Sequence, residues 1–306
     1  MSVEEASKLR VEPVDTGARV RGRKSTYADH RIHHPRHSFE LRLKPAWAYR
    51  HAIPFFGMRV VDKRFRGTWL GWLWIPLRPA LQMFSKAFVF GGLLGVGSGD
   101  RPYLIFLMVG QASWDFFDRM VYWGFRGIRT NRRILDRAPI PWAVAVTSTV
   151  VPATLDALPF VVIGALVSLY YKLAQGSFYI TLSPLSVVRL VGGLALLAAW
   201  GIALSLVVSP LIIMVRDIRF VIRYVISFLY FLTPVLYAIS SLPAEYRVLA
   251  TYNPISAPIE MIKDNLLETG PPATASVVVS LAALIVVFPL GLLVCSFAER
   301  RAHARL

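Results

Sequence analysis

Arg59, Lys63, Arg64 and Arg66 crowd one short stretch, and Trp69, Trp72 and Trp74 follow at once. Cations beside indole rings suit a membrane surface. The charges meet anionic headgroups, and the rings sit where hydrocarbon gives way to water. The next polar residues are odder, because they interrupt apolar runs. Arg78, Gln82 and Lys86 recur every fourth residue and so share one helix stripe. Asp115, Asp118 and Arg119 form a second such group, and Asp156 lies between Pro152 and Pro159. A charge at mid-bilayer costs at least about 2.5–3.5 kcal/mol on insertion scales, so such residues face protein or a watery cavity. They read either as a hydrophilic path or as glue between helices, with Asp115 paired to Arg119.

The elements that must carry them are helical spans. Of the 306 residues 55% are hydrophobic and only 17% charged, against roughly 25% charged in soluble domains. Apolar runs recur at the length of about 20 residues that a helix needs to cross a bilayer core. The expected fold is an all-α polytopic membrane protein with six transmembrane helices, at about 72–97, 103–125, 141–169, 187–214, 220–238 and 273–297. Ahead of them, residues 46–68 form an interfacial amphipathic helix: Trp47, His51, Pro54, Met58, Val61 and Phe65 make one stripe, with Arg59, Asp62, Lys63 and Arg66 on another side. Pro54 is expected to kink or divide it. Residues 1–45 read as a disordered basic cytoplasmic arm without a leader peptide. The transmembrane domain covers 69–299, and 300–306 form a short tail.

Charge orients the spans. Residues 1–68 carry 15 Lys/Arg against 7 Asp/Glu, and segment 126–137 has five arginines against Asp136. Segments 216–223 and 299–306 each have three arginines against one acid. Of the intervening loops, 98–102 is neutral, 171–186 has only Lys172, and 239–272 is acidic, with four acids against Arg247 and Lys263. This alternation predicts a multi-pass protein of the plasma (inner) membrane with both termini cytoplasmic.

Several chemistries are not expected. The net charge of +16 sits in loops between spans, so it reads as membrane orientation and not as nucleic-acid binding. Cys295 is the one cysteine, which excludes an intrachain disulfide and a Cys-based zinc site. GLLGVGS at 92–98 lacks the lysine of a phosphate loop. His30, His33, His34 and His37 have no carboxylate or cysteine beside them, so no metal is expected there. No pairing of side chains suggests catalysis: the chain reads as a transport subunit, not an enzyme, without a cofactor of its own. Phe84, Phe88 and Phe90 in the first span, and Phe228, Tyr230, Phe231 and Tyr237 in the fifth, either pack ordinarily or offer faces on which sugar rings could stack.

The order of features resembles the permease subunit of ATP-binding-cassette exporters for lipid-linked polysaccharides, the group that moves O-antigen, capsule, teichoic acid and galactan chains. Four stretches carry the resemblance: RFRGTWLGWLWIPLRPALQMF, GQASWDFFDRMVYWGFRGIRTNRRILDRAPIPW, MVRDIRFVIRYVISFLYFLTPVLY and LPAEYRVLATYNPISAPIEMIKDNLL. Together they cover most of residues 60–270. The resemblance implies a homodimer with two copies of a separate ATPase, which would hold the ATP and magnesium. It implies that residues 46–66 are a gate helix at the membrane surface. The loop 126–140 would hold a coupling helix docking on the ATPase, with Arg129, Asn131, Arg132, Arg133, Ile134 and Leu135 matching. Here the chain departs from the family: Leu135-Asp136-Arg137-Ala138-Pro139 stands where Lys-Lys-Val-Tyr-Phe-Pro is common. Short re-entrant helices would occupy the last outer loop, 239–272. Gln82, Phe84, Lys86, Phe88, Phe228, Tyr230, Phe231 and Tyr237 would line the path.

On the same resemblance, Arg59, Lys63, Arg64 and Arg66 would receive the pyrophosphate of a lipid-linked glycan, with Trp69 and Trp72 holding the gate and Arg78 continuing the polar lane. Arginine forks match phosphate oxygens, and lysine serves as a point charge. Anchoring to membrane lipid demands the same charges. The alternatives are a cassette permease for a small molecule or lipid, and an ion-coupled secondary transporter using Asp115, Asp118 and Asp156. The halves show no inverted repeat of the kind such transporters carry.

Overall fold

The computed structural model describes residues 47–65, 71–96, 101–138, 140–180 and 183–303, all within one unit, residues 38–306. Among them every regular element is helical. The first helix, α1 (Ala52–Phe65), is followed by α2 (Gly71–Lys86), which runs on as a π-helix over Ala87–Leu93. Then come α3 (Tyr103–Leu135), the short α4 (Trp142–Thr147), α5 (Val150–Gln175), α6 (Pro184–Met214) and α7 (Ile218–Leu232). A 3₁₀ turn at Ile239–Ser241 leads to α8 (Ala244–Tyr252), α9 (Ser256–Leu267) and α10 (Thr274–His303).

Three of these are long and apolar enough to cross a membrane: Trp142–Gln175, Pro184–Met214 and Thr274–Ala302. Local chemistry explains their ends. Ser183 caps α6 with a reciprocal bond to Ser186, and Pro184 follows in the first turn, where a missing N–H costs nothing. Gly176, at φ +70°, closes α5 in the left-handed conformation that glycine adopts most easily. The predicted third span is divided: α4 and α5 meet at Ser148 and Thr149, whose hydroxyls donate back to Ala145 O and Val146 O, 2.8 Å in each case.

Helix α6 is the spine. Helices α3, α9 and α10 all pack on it, and α5 closes the far side of α3. The α3/α6 crossing is close because small residues meet large ones in both directions. A Cβ on Gly124 would lie 2.0 Å from Ser205 Oγ, and one on Gly201 would lie 2.5 Å from Met120 Cβ. Ser205 Oγ donates to Met120 O across the same gap, 3.3 Å. Close approach through small residues and cross-helix hydrogen bonds is how helices hold in lipid, where hydrophobicity alone does not press them together.

The expected helix 46–68 is divided just ahead of Pro54: Trp47 and Ala48 are helical, residues 49–51 form turns, and α1 begins at Ala52 with the proline in its first turn. Of the stripe read as its apolar face, Trp47, His51, Pro54 and Met58 are exposed, while Phe56, Gly57 and Val60 on another side are buried against the start of α5. One expectation needs correcting. Helix α3 does not stop near 125 but continues unbroken to Leu135, so no separate helix occupies 126–138.

Candidate functional site

Lys86, the last residue of α2 before the π-helix, reaches into the bundle. Its Nζ donates to Gln111 Oε1 on α3 and to Tyr230 OH on α7, each at 2.9 Å, and Tyr230 OH donates to Gln111 Oε1 at 2.7 Å. Nζ also stands 4.4 Å from the Tyr230 ring centroid, and Trp114 packs edge-on against that ring at 5.4 Å. A lysine, an amide and a phenol thus tie three helices at one point. Bonds to a charged donor contribute more than neutral ones, and each buried partner would be costly to leave alone.

The two helices joined by this tie also carry exposed aromatics: Phe84 on α2, Phe88 in the π-helix that continues it, and Phe220, Tyr224, Phe228 and Phe231 on α7. Gln82 is exposed as well, Tyr237 is half-buried, and Tyr230 is turned inward and buried. Among the path residues read from the sequence, Lys86 and Tyr230 are therefore bonded together, while Phe84, Phe88, Phe228 and Phe231 are each exposed.

The acids are paired. Asp115 accepts from Arg119 Nε at 3.3 Å, and Asp156 accepts from Trp123 Nε1 at 3.0 Å, joining α3 to α5. Asp115 also lies within electrostatic reach of Lys86, and Asp118 of Arg223.

A second polar knot lies where α7 ends. The chain leaves the helix at Thr233 and turns through Pro234, Val235 and Leu236. Asn253 Nδ2 donates to Thr233 Oγ1 at 2.8 Å, while its Oδ1 accepts from Ile255 N at 3.1 Å. Tyr103 OH donates to Leu236 O at 2.8 Å. Lys263 of α9, 3% exposed, donates to Pro234 O and to Val235 O and stands 3.8 Å from the Phe106 ring centroid. Gly110 makes room for it, since a Cβ there would lie 2.7 Å from Lys263 Cε. Burial pushes the neighbouring Glu260 carboxyl up to about 7, with the Lys263 charge opposing the shift. The sequence reading gave Lys263 only a place in the net-acidic loop 239–272. The available signal was a lysine among four acids there.

At the arginine-rich end of α3, Arg129, Arg132 and Arg133 are exposed, Ile134 is half-buried, and Asn131 and Leu135 point inward. Half of the six residues matched to a docking surface thus face outward. Of the gate residues, Arg59 is half-buried on α1. Arg66 and Trp69 lie outside the described residues, as do the side chains of Lys63, Arg64, Trp72 and Arg78. No group of three His, Cys, Asp or Glu capable of holding a metal occurs among the described residues.

No family model matches the chain. Individual relatives do. It is 25% identical over 206 residues to an O-antigen export system permease protein of Myxococcus xanthus, covering 66% of this chain and 74% of that one. With an O-antigen export system permease protein of Klebsiella pneumoniae it shares 23% over 201 residues, 66% of this chain and 74% of the other. With a polysialic acid transport protein of Escherichia coli it shares 21% over 210 residues, 69% and 79% of the two. Across most of its length the chain is similar to permease proteins of polysaccharide export, the resemblance that its four motif stretches carry.

Proposed function

We propose that this chain is the membrane permease of a polysaccharide exporter that works as a homodimer with two copies of a separate ATPase. Its cargo is a lipid-linked chain of the O-antigen, capsule, teichoic acid or galactan type, moved across the plasma membrane. The observation that carries the reading is the similarity to permease proteins of polysaccharide export over two thirds of the chain. Exposed aromatic rings on both helices joined by the Lys86–Tyr230 bond support a sugar path, since the ring faces of sugars are weakly apolar. Two copies meeting across these helices would enclose such a path. In this reading the six helical segments α2, α3, α4–α5, α6, α7 and α10 span the bilayer with both termini cytoplasmic. Helices α8 and α9 dip back into it, and α1 is the gate.

The test is depletion of the protein from its native cells, followed by extraction of lipid-linked glycan. Accumulation of finished glycan on its lipid carrier at the inner leaflet is the expected result. Unchanged glycan, with ATP hydrolysis by the purified complex stimulated by small amphiphiles instead, would move the assignment to a small-molecule or lipid exporter. A chain that purifies from gently solubilised membranes without any ATPase would overturn it. Within the gate, Arg64→Gln with Arg66→Gln is expected to leave assembly and ATPase activity normal while export fails. Loss of membrane integration in that double variant would assign these arginines to anchoring alone.

A further inference from the structure

Beside the turn that follows α7 lies a partly open cleft of about 220 Å³, lined from α3, α8, α9 and the 269–273 link. Tyr237 lines it, and its hydroxyl is tied back to Phe231 O at 3.0 Å and Leu232 O at 3.2 Å, so the ring is fixed in place. Glu260, half-buried, lines it too, and no hydrogen bond among the described residues reaches its carboxylate. Lys263 also lines the cavity, yet it directs its protons to Pro234 O and Val235 O and not to the acid. The hydroxyls of Thr251 and Ser240 complete the polar lining.

These features select a ligand class. An anion is disfavoured, because the lysine is committed to backbone carbonyls and the one acid without a bond supplies no positive charge. A divalent cation needs several oxygen ligands at once, and one carboxylate beside a buried ammonium does not supply them. A carboxylate with open lone pairs accepts hydroxyl protons, two at a time from a vicinal diol. Threonine and serine hydroxyls both donate and accept, and a fixed aromatic ring packs against C–H groups. The volume is below the roughly 300–1,000 Å³ of pockets for drug-sized molecules, so it fits one ring and not a chain.

We infer that this cavity is a subsite for a single neutral pyranose unit, held by Glu260 and Thr251 through its hydroxyls and by Tyr237 through its ring face. The inference rests on the export reading for the source of the sugar, which would be a unit of the passing chain. Position supports this: the cavity adjoins the turn that follows α7, with Pro234 and Tyr237 in its lining.

The test uses the full chain, with whatever subunit purifies with it, in lipid nanodiscs free of sugar detergents. A pool of methyl pyranosides of glucose, galactose, mannose and rhamnose serves as probe, read by saturation-transfer NMR. We expect transfer to the ring protons of at least one of them. Glu260→Gln and Thr251→Val are nearly isosteric, and each is expected to weaken the probe's affinity, by about tenfold for the loss of a charged acceptor. Wild-type protein giving no transfer from any pyranoside overturns the subsite. So does transfer that both variants leave unchanged, which would mean binding elsewhere, as on the exposed aromatics. Because this readout needs no export, it fails independently of the depletion experiment. Lipid-linked glycan that does not accumulate, with pyranoside binding intact, would leave the subsite standing and remove only the cargo.

Discussion

Tyr230 and Phe228 stand two residues apart and do opposite things. Two residues turn a helix by about 200°, so Tyr230 enters the bundle to meet Lys86 and Gln111, while Phe228 faces out, 71% exposed. Tyr230→Phe would leave a buried amide oxygen and an ammonium short of a partner, a cost of about 1–3 kcal/mol. It should appear as a lower unfolding midpoint of the purified protein. Phe228→Ala should leave that midpoint unchanged and reduce export if the face carries cargo. The sequence placed both residues in one aromatic group. Their spacing could have separated them, but the partners could not be read: Gln111 is 119 residues from Tyr230, and no local pattern announces that contact. Lys263 was equally hidden, since its role depends on carbonyls at Pro234 and Val235 that become available only because α7 ends there. Asn253→Ala removes the bond to Thr233 and the support for Ile255 N. We expect it to loosen this turn, seen as faster amide exchange across 233–237 and an unchanged rate in α6.

Among the elements, the crossing of α3 and α6 is the least forgiving. Gly124→Val and Gly201→Val would each drive a side chain into Met120 or Ser205. Each should sharply lower the yield of folded protein, whereas the same change at Gly192, where nothing lies within 4 Å, should be tolerated. Helix content was legible from apolar run length, and the positions of α5, α6 and α10 follow it closely. The end of α3 was not legible, because five arginines between 126 and 137 resemble a loop by hydropathy. Helical hydrogen bonding is indifferent to that, and arginine is itself a good helix former. Stacking assists: the Arg126 guanidinium lies 4.3 Å from the Tyr122 ring centroid, one turn back. On α1 both faces carry apolar residues, and periodicity cannot say which one meets protein.

For the molecule as a whole, the proposed ATPase has a candidate docking surface in an exposed basic patch. Arg129, Arg132 and Arg133 are exposed at one end of α3. Nearby, Glu299 of α10 accepts from the backbone N–H of Trp142 at 3.4 Å, holding the start of α4 to the last helix. Replacing the three arginines with glutamate should leave the chain folded and membrane-inserted but strip the ATPase from it in a pull-down. Retention of a stoichiometric ATPase would place the docking surface elsewhere.

The unbroken length of α3 has a mechanical meaning. Its 33 residues measure about 50 Å at 1.5 Å per residue, well beyond a hydrocarbon core of about 30 Å. One rigid rod therefore carries the exposed arginines at one end and Gln111 near the other. Gln111 lies about 30 Å along the rod from Arg132, so a tilt of about 5° pivoted at the arginines would carry it about 2–3 Å. That is comparable to the 2.9 Å and 2.7 Å bonds tying Gln111 to Lys86 and Tyr230, so a push at one end of the lever would strain the latch at the other.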